Sequence, residues 1–301
     1  MARVRAGRPA GNAPAPAWAM PLRPAGIRTA TGAGLAADPR GAALRALMVA
    51  LTGAAWLALW LWSASPYGRY LDHGSWTDAG AIAAICRAVP QGDVAVPALL
   101  YAGGWVLMIA AMMLPTTLPI LEMFRRMTAA RPDGGRLLGL VIAGYVGAWL
   151  AFGLAAHVVD WAIHALAARA PWLALNGWIL GVAVLGAAGL FQFSALKYRC
   201  LEKCHMPLAF IIERWHGQRP AREALVLGID HGAFCVGCCW ALMLLMFVVG
   251  TGSLGWMLGL ATLMAAEKNL PGGRRLRVPL GLALIAGAAA ILVVHTGPVG
   301  G

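Results

Sequence analysis

Seven stretches of the chain run almost without charge: Ala46–Gly68, Val94–Leu121, Leu137–Ala156, Leu173–Leu196, Gly232–Thr251, Gly252–Ala266 and Val278–Val294. A helix needs about 20 apolar residues to cross a hydrocarbon core roughly 30 Å thick, with a working range of about 17–25. The first five runs meet that length, and the last sits at its short end. The sixth abuts the fifth through Gly250-Thr251-Gly252-Ser253, with no charged break, which reads as a tight extracytoplasmic turn. The pattern predicts an all-α, polytopic transmembrane bundle of seven spans, with six as the fallback.

The basic residues orient this bundle. With the N-terminus in the cytoplasm, the inner segments hold 21 of the 24 Lys and Arg, and only Arg69, Arg87 and Arg169 fall outside. Cytoplasmic loops are enriched in these residues, so the net charge of +12 is a topology signal and no nucleic-acid partner is expected. Trp62, Trp161, Trp172 and Trp215 lie at run ends, where interfacial aromatic belts form. Composition agrees: 60% of residues are hydrophobic and 12% charged. A soluble domain carries roughly a quarter charged residues, so a soluble enzyme and a disordered protein are both excluded.

Residues 1–41 are rich in Ala, Pro, Gly and Arg and lack an apolar signal core. They read as a disordered cytoplasmic tail, as an over-long start with Met20 as the true one, or as an Arg-rich transit-like segment. Residues 42–301 form the membrane domain, with a metal-binding core at about 95–270.

Five of the six cysteines fall in two clusters on the cytoplasmic side of this topology, where thiols stay reduced. Metal binding or thiol chemistry is therefore the natural reading. The first cluster is Cys200-Leu201-Glu202-Lys203-Cys204-His205-Met206-Pro207. Cys200 and Cys204 stack on one helical face, and Pro207 disfavours helix at Met206, so the helix should end just past His205. In the second cluster His231, Cys235, Cys238 or Cys239, Leu242 and Met246 form one helical stripe. Gly232 and Gly237 leave room there for a neighbouring helix or an ion. Soft thiolate and thioether donors select Cu(I), with Zn(II) as the competitor through its Cys/His preference. Cysteine is also an ordinary buried residue, and packing alone is the bland alternative.

Asp230 sits at the cytoplasmic edge, where it is placed to orient His231. Glu267 and Lys268 close the sixth run as a mutual pair or as ordinary flanking charges, the second being favoured. In the second run Met108, Met112 and Met113 precede Leu114-Pro115-Thr116-Thr117-Leu118-Pro119. Each proline removes an amide donor and kinks the helix, freeing the carbonyls of Ala111 and Pro115, which must face protein or a polar cavity and some of which Thr116 and Thr117 could satisfy. Met112 and Met113 are thus candidate relay ligands for a soft cation, though methionine is also a common gap filler.

These blocks together resemble an uncharacterised bacterial family of predicted metal-binding integral membrane proteins, sometimes labelled copper chaperones. The resemblance rests on Met112-Met113-Leu114-Pro115-Thr116, Tyr198-Arg199-Cys200-Leu201-Glu202-Lys203-Cys204, His231-Gly232 with Cys235-Val236-Gly237-Cys238-Cys239-Trp240, and Glu267-Lys268. It implies a membrane protein that handles metal.

The leading expectation is an inner-membrane protein, not an enzyme, that binds Cu(I) through Cys200, Cys204, His205, His231, Cys235, Cys238 and Cys239 with Met112 and Met113. It would transport the ion or hand it to a metallochaperone or metalloenzyme client. Gly255 and Gly259 offer a small-residue surface for a homo-oligomer. The alternative is a membrane thiol–disulfide oxidoreductase using Cys235 and Cys238, with Cys200/Cys204 as a shuttle pair.

Overall fold

A computed structural model describes residues 38–65, 95–170, 172, 176–249 and 253–296. Among these the chain is helical, with no strand. In order come α1 (Pro39–Ala64), α2 (Ala95–Met108), a π-helical turn (Ile109–Met113), a 3-10 turn (Leu114–Thr117), α3 (Leu118–Met127) and α4 (Gly134–Arg169). Then follow α5 (Gly177–Phe191), α6 (Ala195–His205), α7 (Pro207–Arg214), α8 (Pro220–Val249), α9 (Leu254–Asn269), a second 3-10 turn (Gly273–Leu276) and α10 (Arg277–Thr296).

The described residues of the predicted apolar runs are helical, apart from Ser65, Asn176, the break at 192–194 and Ser253. Among the described residues five helical segments are long and apolar enough to cross a membrane, one of them running from Tyr101 in α2 through both turns to the end of α3, and α5 with α6, bent by 60° at their junction, makes up to six. At 16 residues α9 falls short of a spanning length by itself. The expected tail lies outside the described residues except for Asp38–Gly41, where Pro39 already opens α1. The turn at 250–252 and the loop carrying Arg69, Cys86 and Arg87 also lie outside them.

Burial is distributed as in a lipid-facing bundle. Large apolar side chains such as Val49, Trp60, Val158, Leu282 and Val294 point outward, while Gln192, Lys197, His231, Glu267 and Lys268 are buried. Inside a bilayer the costly polar groups face the bundle interior, where they find partners. Two of these, Lys197 and Lys268, were counted by sequence among the cytoplasmic loop charges. Without them the split expected from the sequence becomes 19 inner to 3 outer.

The helices α4 and α8 pack along each other over much of their length. Small residues make this seam: a Cβ on Gly232 would lie 2.7 Å from that of Ala148 and 3.0 Å from the carbonyl of Tyr145. Backbones brought this close supply the dispersion contacts that replace a hydrophobic driving force in lipid. On the other flank of α4, α2 is held by polar tips. Trp105 Nε1 donates to the Trp149 carbonyl at 2.9 Å, and Tyr101 Oη to that of Gly153 at 2.9 Å.

The α-helix of the second run is interrupted at the prolines by the π turn and the 3-10 turn, and the threonine hydroxyls serve other carbonyls than the expected ones. Thr116 and Thr117 donate to the carbonyls of Met113 and Leu114, each at 2.7 Å, and not to those of Ala111 and Pro115. The Pro115 carbonyl is taken by the Leu118 amide. A threonine hydroxyl reaches the carbonyl three or four residues back on its own helix, which fixes these partners.

Candidate metal centre

The junction between α5 and α6 positions the first cysteine cluster. Gln192, Phe193 and Ser194 break the helix, and Ser194 caps α6 by accepting from the Lys197 amide at 3.1 Å. A serine in extended conformation satisfies one of the free amides that open a helix. The turn lays α6 against α8. As Pro207 predicts, α6 ends at His205, with Met206 outside helical geometry. Cys200 fits beside Gly237, where an added Cβ would stand 2.7 Å from its sulfur. Cys204 interacts with Cys238 across the same packing.

On α8 the predicted stripe holds. His231, Cys235, Cys238, Cys239, Leu242 and Met246 are all buried, the cysteines at 1% exposure each. The sulfur of Cys235 has two polar neighbours, Tyr145 Oη from α4 at 3.0 Å and Lys268 Nζ from α9 at 2.9 Å. One turn along, Cys238 Sγ donates to the Cys235 carbonyl at 3.1 Å and lies 3.4 Å from Cys239 Sγ. The His231 ring is tilted against Tyr145 and edge-on to Phe210, with both centroids 5.7 Å away, and its Nδ1 is buried without a hydrogen-bond partner.

A small cavity opens between these elements. Its lining includes Thr116, Cys204, His231, Cys235 and Lys268, contributed by the 3-10 turn, α6, α8 and α9. Two thiols, an imidazole and an ammonium thus face one space from three separate stretches of sequence. Two thiols and a buried, unpartnered imidazole nitrogen form a donor set suited to a soft ion. Among the described residues, however, no three His, Cys, Asp or Glu side chains are already drawn in around a common point. Contacts from Tyr145 and Lys268 occupy the Cys235 sulfur, so an ion entering there has to replace one of them.

The remaining predicted ligands lie around this cavity and do not line it. Cys200, Cys238 and Cys239 are buried along the α6–α8 packing. His205 Nδ1 sits 2.9 Å from the Leu201 carbonyl on its own helix. Met112 is buried in the π turn, while Met113 reaches the edge of the site with its sulfur 3.7 Å from Lys268 Nζ.

Two expectations need correcting. Asp230 does not orient His231; it accepts from Arg214 Nε at 2.7 Å, while the Arg214 guanidinium stacks 4.1 Å over Phe210. This clamps α7 beside the cavity. Glu267 and Lys268 are neither a mutual pair nor flanking charges, being 1% and 5% exposed. Glu267 pairs with Lys197 at 2.8 Å, and Lys197 also donates to Gln192. Lys268 turns to the sulfur site. Charge placed at the end of an apolar run looks like a solvated edge in sequence. Here the 3-10 turn after α9 folds back so closely that a Cβ on Gly273 would lie 2.8 Å from the Glu267 carbonyl, and the helix end is covered.

Sequence reasoning missed Lys197, Tyr145 and the role of Lys268. For Tyr145 no signal was available. For Lys197 the signal was its place immediately after an apolar run, within reach of the Glu267 segment only once the chain bends at Ser194.

A family model described as PpoB2, copper chaperone, matches residues 102–291. No curated protein and no solved structure matches the chain. The matched segment takes in the broken helix, both cysteine clusters and the Glu267-Lys268 block, 190 of the 301 residues, and the chain belongs to the PpoB2 copper-chaperone family.

Proposed function

We propose that this protein binds Cu(I) in the cavity lined by Cys204, His231 and Cys235 and transports it or hands it to a metallochaperone or metalloenzyme client. The observation that carries this reading is the convergence of those three side chains on one space, with the buried His231 Nδ1 left unpartnered. Cys200, Cys238 and Cys239 form a second sulfur station one helical turn along. Beyond them the buried Met246 ends the stripe on α8, about 22 Å from His231 at 1.5 Å per residue, and Met243 is buried one turn before it. Met113 stands beside Lys268 at the cavity edge, and Met112 is buried next to it in the π turn. Zn(II) takes Cys, His and carboxylate ligands, so it is the thioethers beside the thiols that favour Cu(I).

The protein sits in the bacterial inner membrane with its N-terminus in the cytoplasm. The seven-span arrangement counts α5 with α6 as one broken span and α9 as a short one. The uneven distribution of Lys and Arg supports this orientation. It is not an enzyme in this reading: Cys235 and Cys238 are each 1% exposed, and a thiol exchanging with another protein needs access.

The test is competition with a Cu(I) chelator, using purified full-length protein and a Cys204→Ser/Cys235→Ser variant. Wild type should retain Cu(I) at chelator concentrations that strip the variant. Equal retention by both rejects this site.

A further inference from the structure

Lys268 is the least explained group in the cavity. Its ammonium has three N–H donors and no acceptor, and it meets three acceptors: Cys235 Sγ at 2.9 Å, Thr116 Oγ1 at 3.5 Å and Met113 Sδ at 3.7 Å. The neighbouring carboxylate does not serve it, because Glu267 is engaged by Lys197. Among the described residues no carboxylate forms an ion pair with Lys268. A fixed positive charge therefore stands in the wall of a space otherwise suited to a cation.

We propose that Lys268 is a charge filter that makes this cavity select a monovalent soft ion over a divalent one. The inference rests on the reading of the cavity as the metal site. Thiols lose their protons when they bind metal. With Cys204 and Cys235 as thiolates and Lys268 as ammonium, a monovalent ion brings the site to zero net charge, whereas a divalent ion leaves one positive charge. Unbalanced charge in a buried, low-dielectric setting is strongly disfavoured. Ligand softness does not separate Cu(I) from every thiophilic divalent ion, and Lys268 supplies discrimination that sulfur alone lacks. Without the ammonium the balance inverts: the divalent ion becomes the neutral occupant.

The experiment uses Ag(I) and Cd(II), both thiophilic and redox-stable but different in charge. Their affinities are measured by equilibrium dialysis on the full chain in nanodiscs, for wild type, Lys268→Leu, Lys268→Gln and Lys268→Arg. Wild type should prefer Ag(I). Both neutral variants should raise the Cd(II)-to-Ag(I) affinity ratio at least about fivefold, the Boltzmann factor of ~1 kcal/mol between unit charges 4 Å apart even with the screening of bulk water. Lys268→Arg should keep the wild-type ratio. An unchanged ratio in the neutral variants with Ag(I) still bound overturns the filter and leaves the metal site standing. A shift in Lys268→Arg equal to theirs also overturns it, since shape rather than charge would then decide. Failure of wild type to bind either ion defeats the metal site itself. Aggregation of both neutral variants assigns Lys268 to holding the bundle together and ends the proposal.

Discussion

Replacing Lys197 by methionine tests whether the bundle depends on its buried ion pair. Lys197 and Glu267 are 0% and 1% exposed, and their charged atoms are 2.8 Å apart. At an effective dielectric constant of about 20 that separation corresponds to roughly 6 kcal/mol of gross attraction. Desolvation of both ions offsets most of this in the intact protein, so the pair adds little net stability. Removing one member is different, because the other charge stays buried without compensation. Lys197→Met should cost about 3–5 kcal/mol, and Glu267→Leu a similar amount. The double variant removes both charges and leaves only Gln192 without its partner, at about 1–3 kcal/mol, part of which added apolar packing recovers. It should therefore lie within about 2 kcal/mol of wild type. Reversible unfolding by SDS in mixed micelles, followed by tryptophan fluorescence, gives all four free energies for a double-mutant cycle. The expected coupling is at least about 3 kcal/mol. A double variant as weakened as the sum of the two singles would refute the reasoning.

Two further outcomes follow from the same geometry. Gly232→Ala should destabilise the α4–α8 seam by about 1–3 kcal/mol, the usual cost of overpacking, because the new methyl meets Ala148 Cβ at 2.7 Å and backbone at 3.0 Å; SDS unfolding reads this, and an unchanged midpoint would contradict the close approach. Arg214→Ala removes both the ion pair to Asp230 and the stacking on Phe210. Hydrogen exchange should then rise at 207–214 by the equivalent of about 1–2 kcal/mol, with α4 unaffected.

Long uncharged runs fixed the helical, membrane-embedded character of the chain because lipid leaves a backbone few other options. The stripe from His231 to Met246 was equally legible, since helical periodicity alone puts those residues on one face. The end of α6 at His205 followed from Pro207 by local sterics. What stayed hidden depended on the packing of distant segments. Tyr145 lies 90 residues from Cys235 and is joined to it only by the α4–α8 seam. Lys197 and Glu267 are 70 residues apart. Each stands at the end of an apolar run, where the charge of a solvated loop and the charge of a covered helix end look alike. Asp230 failed for a related reason: adjacency to His231 in sequence puts it on another side of the helix, where Arg214 reaches it first.

That last point has a counterpart on α9. Consecutive helical residues project about 100° apart, so Glu267 and Lys268 cannot serve one compartment. Glu267 faces α6 and is fixed there by Lys197, while Lys268 faces the Cys235 sulfur and the π turn. The ion pair thereby sets the rotation of α9 about its own axis, and that rotation sets where the Lys268 ammonium stands. A shift large enough to free Lys268 from the cavity by turning the helix would have to break a buried ion pair, which costs about 3–5 kcal/mol. Moving the flexible four-carbon side chain alone breaks none. The charge in the cavity wall is therefore held on a rigid helix by a mobile stem, an arrangement that keeps the ammonium near the sulfurs yet lets it yield to an arriving ion.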